Sequence, residues 1–358
     1  MAIKKQNSNE FYAAMSKDAR EQKIPSRVMF ELTYRCNFRC LHCYLSPDKK
    51  KELNTKEVFL VLDQLKDAGT FHIGFTGGEP FLRRDLFQIL DHAKKCGFRI
   101  SLLTNGFLID KDNAKKLAAL GPSLNRVDIS VLGANPKTFE KITGVKGSFN
   151  KVMDSIGLLK KEGVVVQLKS TLMTLNKDEL LEIRALAKKF DCLFRYGPTV
   201  SRKADGDDGP LKYQVSPDEV LRINRQLAGD HNKIGDKKNG CGTLIRKTVG
   251  RRSLFHCGAG QTEVTISPYG EMNFCLEIHY PQYDILKTSL LECWGRLSTL
   301  VENVTVPQEY ACGACDIAGF CHWCPAKAWH LKKDFFSCDP ESKKMAICEA
   351  RACGVVGE

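Results

Sequence analysis

From residue 28 to about residue 200 the chain alternates between short apolar runs and longer stretches whose apolar residues recur at helical spacing. The runs 28–34, 71–76, 98–104, 126–132, 164–172 and 192–198 read as strands. Between them, 55–69, 84–97, 110–120, 136–161 and 176–190 carry amphipathic helical patterns. Regular alternation of the two predicts successive βα units and a parallel sheet. Six units predict an α/β fold of the open, partial (β/α)6 type, short of the eight units of a closed barrel.

The pattern changes after residue 200. Residues 201–213 form a polar break rich in Gly and Asp. A helix is predicted next, with Ser216 as cap, Glu219 three residues on and Pro217 in the first turn. Residues 229–253 are again rich in Gly and Lys. Further on, Thr262–Ser267 and Glu271–Cys275 flank a Pro268-Tyr269-Gly270 turn and predict a hairpin. Periodicity is otherwise weak there and cysteines are dense, so metal ligation is expected to organise this segment more than an apolar core does. The expected organisation is an extension over 1–27, a barrel core over 28–200, a bridging region over 201–253 and a cysteine-rich domain over 254–358.

The first predicted strand runs into Cys36, Cys40 and Cys43, spaced with three and then two residues between them. A [4Fe–4S] cubane normally takes four thiolates, so three on one loop leave an iron open to a further ligand. Zinc sites usually pair two Cys-x2-Cys knuckles or add two histidines, and only His42 stands beside this loop. The carboxyl end of a barrel strand is also where such folds place their chemistry.

This loop resembles that of the radical S-adenosylmethionine (SAM) enzymes, in which the open iron chelates SAM and one electron cleaves it to a 5′-deoxyadenosyl radical. The resemblance implies a partial, TIM-like (β/α)6 barrel. Thr76-Gly77-Gly78-Glu79-Pro80 ends the second strand and resembles the family's GGEP motif, which holds the SAM amino group. Leu103-Thr104-Asn105-Gly106 resembles another recurrent turn at the same end. By the same resemblance Ser130 contacts the SAM carboxylate or ribose, while Thr143 stands where many relatives have a carboxylate-binding arginine. Lys169 or Thr143 itself is expected to take over that contact. Tyr44 is expected to stack on the adenine, with His42 beside it.

The C-terminal cysteines resemble the SPASM extension of these enzymes, which carries one or two auxiliary [4Fe–4S] clusters. Gly270-x4-Cys275 and Cys312-x2-Cys315-x5-Cys321 match its pattern, and Cys324 follows after two residues in place of the more usual three. The two knuckles lie only five residues apart, against roughly 15–20 in a zinc ribbon. The resemblance implies that Cys257, Cys275 and Cys324 hold one cluster, with Cys241 or an open iron completing it. Cys312, Cys315 and Cys321 would hold the other, completed by Cys338 in preference to Cys348. Cys96, Cys192, Cys293 and Cys353 are expected to be ordinary buried thiols.

Composition narrows the setting. Sixteen cysteines without an apolar signal segment in residues 1–27 favour metal ligation over disulfides and a cytoplasmic location. No run approaches the roughly 20 apolar residues of a membrane span. The net charge of +12 is spread over helical faces such as Lys115-Lys116 and Lys188-Lys189, without interleaved aromatic residues. Nucleic acid is therefore disfavoured, and an anionic partner such as an acidic peptide is favoured.

The leading expectation is modification of a ribosomally made peptide or protein by crosslinking, oxidation or epimerisation, served by an electron donor such as flavodoxin or ferredoxin. An acidic leader would suit the basic surface, although about 27 residues before the first strand are too few for a leader-binding winged-helix domain. Sulfatase maturation to formylglycine is a weaker alternative. Those enzymes place an aspartate directly after the Gly-x4-Cys cysteine, where this chain has Leu276 and then Glu277. Tailoring of a tetrapyrrole by oxidative decarboxylation is another alternative. A pure electron carrier is disfavoured, because it leaves the open-coordination loop and the glycine turn unexplained. The catalytic acid or base is not identified by the sequence.

Overall fold

The computed structural model describes residues 17–47, 49–229, 255, 257–304, 307 and 310–356. Six parallel strands build the first part: β1 (Arg27–Thr33), β2 (His72–Gly77), β3 (Arg99–Thr104), β4 (Leu124–Ser130), β5 (Val166–Thr171) and β6 (Leu193–Gly197). Helices α1 (Thr55–Asp67), α2 (Leu86–Lys95), α3 (Lys111–Ala118), α4 (Pro136–Thr143), α5 (Ser148–Lys161) and α6 (Leu180–Lys189) connect them. Three strands of the cysteine-rich part follow, β7 (Glu263–Ile266), β8 (Glu271–Asn273) and β9 (Tyr283–Asp284). The order across the sheet is β6-β5-β4-β3-β2-β1-β7-β8-β9, so β6 and β9 are its two edges and the barrel is unclosed.

Local chemistry explains the elements. Helix α1 starts at Asn54, whose side chain accepts from the Lys56 and Glu57 amides while Glu57 reaches back to the Asn54 amide. Such a cap stabilises a helix by about 1 kcal/mol. The α1 residues Val58, Val61, Leu62 and Leu65 recur at spacings of three and four and are buried against the sheet. The sequence predicts one helix over 136–161, but the structure breaks it in two. Gly144 caps α4 at φ 71° and Gly147 precedes α5 at φ 75°. Both conformations are left-handed, where glycine lacks the Cβ clash of other residues. The break lets α4 turn back onto the cysteine loop.

Helix α7 (Pro217–Gly229) begins where predicted. In place of the expected reciprocal box, the Ser216 hydroxyl donates to the Glu219 carboxylate, which also pairs with Lys177.

The expectation that metal outweighs apolar packing beyond residue 253 is corrected for residues 257–304. Strand β7 pairs in parallel with β1, from Arg27↔Glu263 to Phe30↔Ile266, and β8 returns antiparallel with Thr265↔Asn273. Val264, Ile266, Met272, Phe274, Trp294 and Leu297 thereby join the barrel's own apolar core. Helix α8 (Leu290–Asn303) docks beside α1, where the Leu290 amide donates to Gln64 Oε1 at 2.9 Å. Helices α9 (Pro325–Lys332) and α10 (Pro340–Ala352) complete the described chain. Here a separate small cluster of Ile317, Phe320, Ala346 and Ala350 forms. Among the described residues no helix is long and apolar enough to cross a membrane.

Candidate active site

All the predicted turns meet at the carboxyl ends of the strands. The cysteine loop leaves β1 and is held on one side by α4, with the Arg39 amide on the Thr143 carbonyl at 2.9 Å and the Leu41 amide on the Ile142 carbonyl at 3.0 Å. Gly144 packs on Arg39 at ordinary contact, where a Cβ would sit 3.4 Å from its backbone oxygen. The Thr143 side chain is fully buried, and its hydroxyl lies 3.2 Å from that of Ser148. What Thr143 visibly does here is support the loop.

The glycine turn grips the other side of the loop. The Gly78 amide donates to Thr33 O at 2.7 Å and the Glu79 amide to Arg35 O at 2.9 Å. A Cβ on Gly77 would stand 2.2 Å from Thr33 O, and one on Gly78 would stand 2.3 Å from Arg35 O. Only glycine permits that approach. Glu79 is fully buried, and its carboxylate accepts from Thr104 Oγ1 at 2.8 Å, the Asn105 amide at 2.7 Å and the Phe81 amide at 3.1 Å. Its task is to lock the ends of β2 and β3 together. Burial lifts its pKa to about 7 in spite of those donors.

Asn105, in the turn that the sequence places at this same end but assigns no role, completes the cradle. Its Nδ2 donates to Asn37 Oδ1 at 2.8 Å and approaches Cys36 Sγ at 3.8 Å. An unforeseen group is Glu31, fully buried in β1. The hydroxyls of Tyr34 and Tyr44 donate to it at 2.8 and 3.0 Å, and His279 Nε2 lies 3.3 Å from the Tyr34 hydroxyl. Burial raises Glu31 to about 7. The signal was available, since a charge interrupts the apolar run Val28-Met29-Phe30-Glu31-Leu32. Tyr44, expected on the adenine, therefore has its hydroxyl turned to Glu31.

Ser130 and Lys169 are register partners on β4 and β5. Ser130 is exposed at its strand end. The Lys169 ammonium lies 3.7 Å from Asp128, which Arg126 also holds at 2.7 Å. Burial lowers the Lys169 pKa, with Asp128 opposing.

The donor set fits an iron–sulfur cluster. Burial raises all three thiols, Cys40 up to about 12 with Cys43 and Cys36 adding to it, Cys36 with Glu79 and Cys43 adding, and Cys43 with Glu31 adding, a penalty that a bound metal removes. Two buried polar atoms beside the loop, Asn37 Nδ2 and His42 Nδ1, have no protein partner. Burial also holds His42 neutral, with a pKa lowered to about 4. Three thiolates on one loop suit a cubane, in which each takes a different iron.

The later cysteines fall into two groups by the charges they feel. Cys275 senses Cys324 and Cys257, with Glu277 the strongest charge on it. Cys321 senses Cys312, Cys338 and Cys315. Cys348 responds to Asp218, Arg351 and Glu349, with no cysteine among its influences. Cys241 lies outside the described residues. Cys293 is fully buried as expected, Cys96 and Cys192 are only partly so, and Cys353 is disulfide-bonded in place of the expected thiol. Beside the first group, Glu277 accepts from the Ser201 hydroxyl at 2.8 Å, and His330 Nε2 lies 2.7 Å from its carbonyl.

An open parallel barrel with a three-cysteine loop and a glycine cradle at its carboxyl end defines an iron–sulfur enzyme that binds an amino acid-like cofactor. The profile of the radical SAM superfamily matches residues 30–190. The mycofactocin maturase MftC of Mycolicibacterium smegmatis is 30% identical over 306 residues, covering 81% of this chain and 75% of that protein. An AdoMet-dependent heme synthase of Methanosarcina barkeri is 26% identical over 337 residues, covering 88% of this chain and 95% of that protein. Streptococcus suis SuiB, solved with its precursor peptide SuiA, superposes with a TM-score of 0.72 at 15% identity, over 96% of this chain and 82% of that one. This chain belongs to the radical SAM superfamily and carries a SPASM-type C-terminal region. It is an enzyme whose cofactors are a [4Fe–4S] cluster and SAM.

Proposed function

We propose that this radical SAM enzyme acts in the cytoplasm on a ribosomally made peptide or protein, forming a crosslink, an oxidised residue or an inverted centre. The observation that carries this reading is the 30% identity to mycofactocin maturase along most of both chains. The β6 edge, unpaired among the described residues, adds to it, because a barrel open at the side admits a chain too long to enter through the mouth.

In this reading Cys36, Cys40 and Cys43 hold the cluster that, with SAM bound, supplies the 5′-deoxyadenosyl radical. Gly77 and Gly78 give the SAM ammonium close access to backbone carbonyls. Ser130 contacts the SAM carboxylate or ribose, Lys169 rather than the buried Thr143 takes the carboxylate, and the Tyr44 ring packs on the adenine. Cys257, Cys275 and Cys324 hold one auxiliary cluster, and Cys312, Cys315, Cys321 and Cys338 the other. Glu277 stands beside Cys275 and Cys324 with a carboxylate able to take a substrate proton. A flavodoxin or ferredoxin supplies electrons.

A second reading, tetrapyrrole tailoring, is favoured by the match to heme synthase over 95% of that protein. Lys169 and Arg195, partners on β5 and β6, would then face substrate carboxylates. One experiment separates the two. Anaerobically reconstituted enzyme is given SAM and reductant with either a precursor peptide encoded beside the gene or an iron–coproporphyrin. Peptide that loses hydrogen, or gains deuterium from the solvent at an inverted centre, in step with 5′-deoxyadenosine supports the first reading. Release of carbon dioxide from the porphyrin, with the peptide unchanged, replaces it with the second.

A further inference from the structure

At the end of the barrel opposite the cysteine loop, α1 and α2 pack side by side and finish next to one another. His92 and Cys96 stand one helical turn apart on α2 and its cap, so they share a face. Asp63 faces them from the last turns of α1. Its Oδ1 lies 2.7 Å from His92 Nε2 and 3.6 Å from Cys96 Sγ. All three donor atoms fall within 4.8 Å of one another, the only such group among the described residues. Phe59, one turn before Asp63, stacks on the imidazole with centroids 4.2 Å apart and planes 6° from parallel. The ring is thereby fixed with its Nε2 toward the carboxylate.

We infer that Asp63, His92 and Cys96 form a site for one divalent transition-metal ion of the zinc class, joining α1 to α2 far from the radical chemistry. A carboxylate oxygen, an imidazole nitrogen and a thiolate suit zinc, whereas calcium and magnesium require oxygen donors. A tetrahedral ion bound at roughly 2.0–2.3 Å spaces its ligands roughly 3.3–3.7 Å apart. The sulfur–oxygen distance of 3.6 Å already matches, and the nitrogen–oxygen pair at 2.7 Å must open by about half an ångström. Binding replaces the Cys96 S–H bond with a metal–sulfur bond, and the proton goes to solvent. The carboxylate and thiolate then balance the ion's charge, while Lys66 and Asp67, which also act on Cys96, offset one another. Both helices end here, so their carbonyl ends favour a cation. Asp63 Oδ1 is thus shared by the sulfur and the imidazole, as a common ligand to one ion would be. Three protein ligands leave the fourth position to water.

The test uses cluster-loaded enzyme, so that the other ligating cysteines are occupied. The protein is washed with a mild chelator, zinc chloride is added without air, and alkylation of Cys96 is followed by peptide mass spectrometry. Zinc is expected to slow Cys96 labelling about tenfold or more, and calcium to leave it unchanged. His92→Gln and Asp63→Asn should each abolish the protection and lower retained zinc by one ion per chain, while 5′-deoxyadenosine formation persists as evidence of an intact fold. Labelling unaffected by zinc overturns the inference. So does protection that survives in both variants, since the ion would then be held by sulfur alone.

Discussion

The two cysteine fields of this enzyme are built on opposite plans. Cys36, Cys40 and Cys43 sit on a loop clamped by backbone hydrogen bonds to α4 and to the glycine turn. Beneath it lies a sheet whose strands bury Phe30, Phe75, Ile100 and Ile129 completely. The field over 310–356 is built of short helical turns at Ala311–Ala314 and Ala318–Phe320 and the helices α9 and α10, with a small cluster of its own around Ile317 and Ala346, while Tyr310, Cys312, Ala326 and Phe335 pack into the barrel's core. The first cradle is preorganised by folding, so its metal contributes reactivity. The second has less regular structure of its own, so metal held by its cysteines is expected to contribute structure as well as reactivity.

The largest test of this contrast is removal of a ligand from the first field. Cys40→Ala should reduce 5′-deoxyadenosine formation to background and lower bound iron by about four per chain, while circular dichroism shows the barrel folded. A barrel that unfolds would place metal-dependent folding in both fields. Stripping all iron with a chelator should next separate the regions. Amide hydrogen exchange over 310–356 is expected to rise by orders of magnitude while α1 and β1–β5 stay protected. Equal protection in both parts would erase the distinction.

Smaller effects sharpen it. Gly78→Ala forces a Cβ against Arg35 O, and urea unfolding should register a loss of roughly 3 kcal/mol together with weaker SAM binding. Buried Glu31 and Glu79 give the barrel side its own pH signature, since each is raised from 4.5 to about 7. The folded chain keeps two protons that the unfolded chain releases above pH 4.5. The associated stability is complete below that pH, declines as pH rises toward 7 and levels off beyond it, by up to ~3 kcal/mol per group. Glu31→Gln should remove its share of that slope in denaturation measured across the window. A slope unchanged by the substitution would show that Glu31 does not carry the proton. Least of all, Cys293→Ala should leave iron content intact and change stability by about 1 kcal/mol, because Cys293 is a core thiol in α8.

The alternation of apolar runs and helical patterns carried the α/β class, because strand and helix periodicities are local properties of the chain. The same holds for the first cluster loop, whose ligands lie within eight residues and need no tertiary contact to be adjacent. Where a break depended on two glycines three residues apart, the pattern misled, since amphipathic spacing continues across Gly144 and Gly147. Long-range pairing was beyond its reach. Nothing between residues 200 and 262 announces that β7 lies beside β1, some 230 residues away in sequence. Nor does the chain reveal that Glu79 faces Thr104 and Asn105, or that Asp63 meets His92 and Cys96. Spacing along the sequence determines which groups can act as neighbours within one turn or loop. Only the assembly of the sheet and its helices decides which groups from distant segments share a site, because that choice is made by the burial of whole faces.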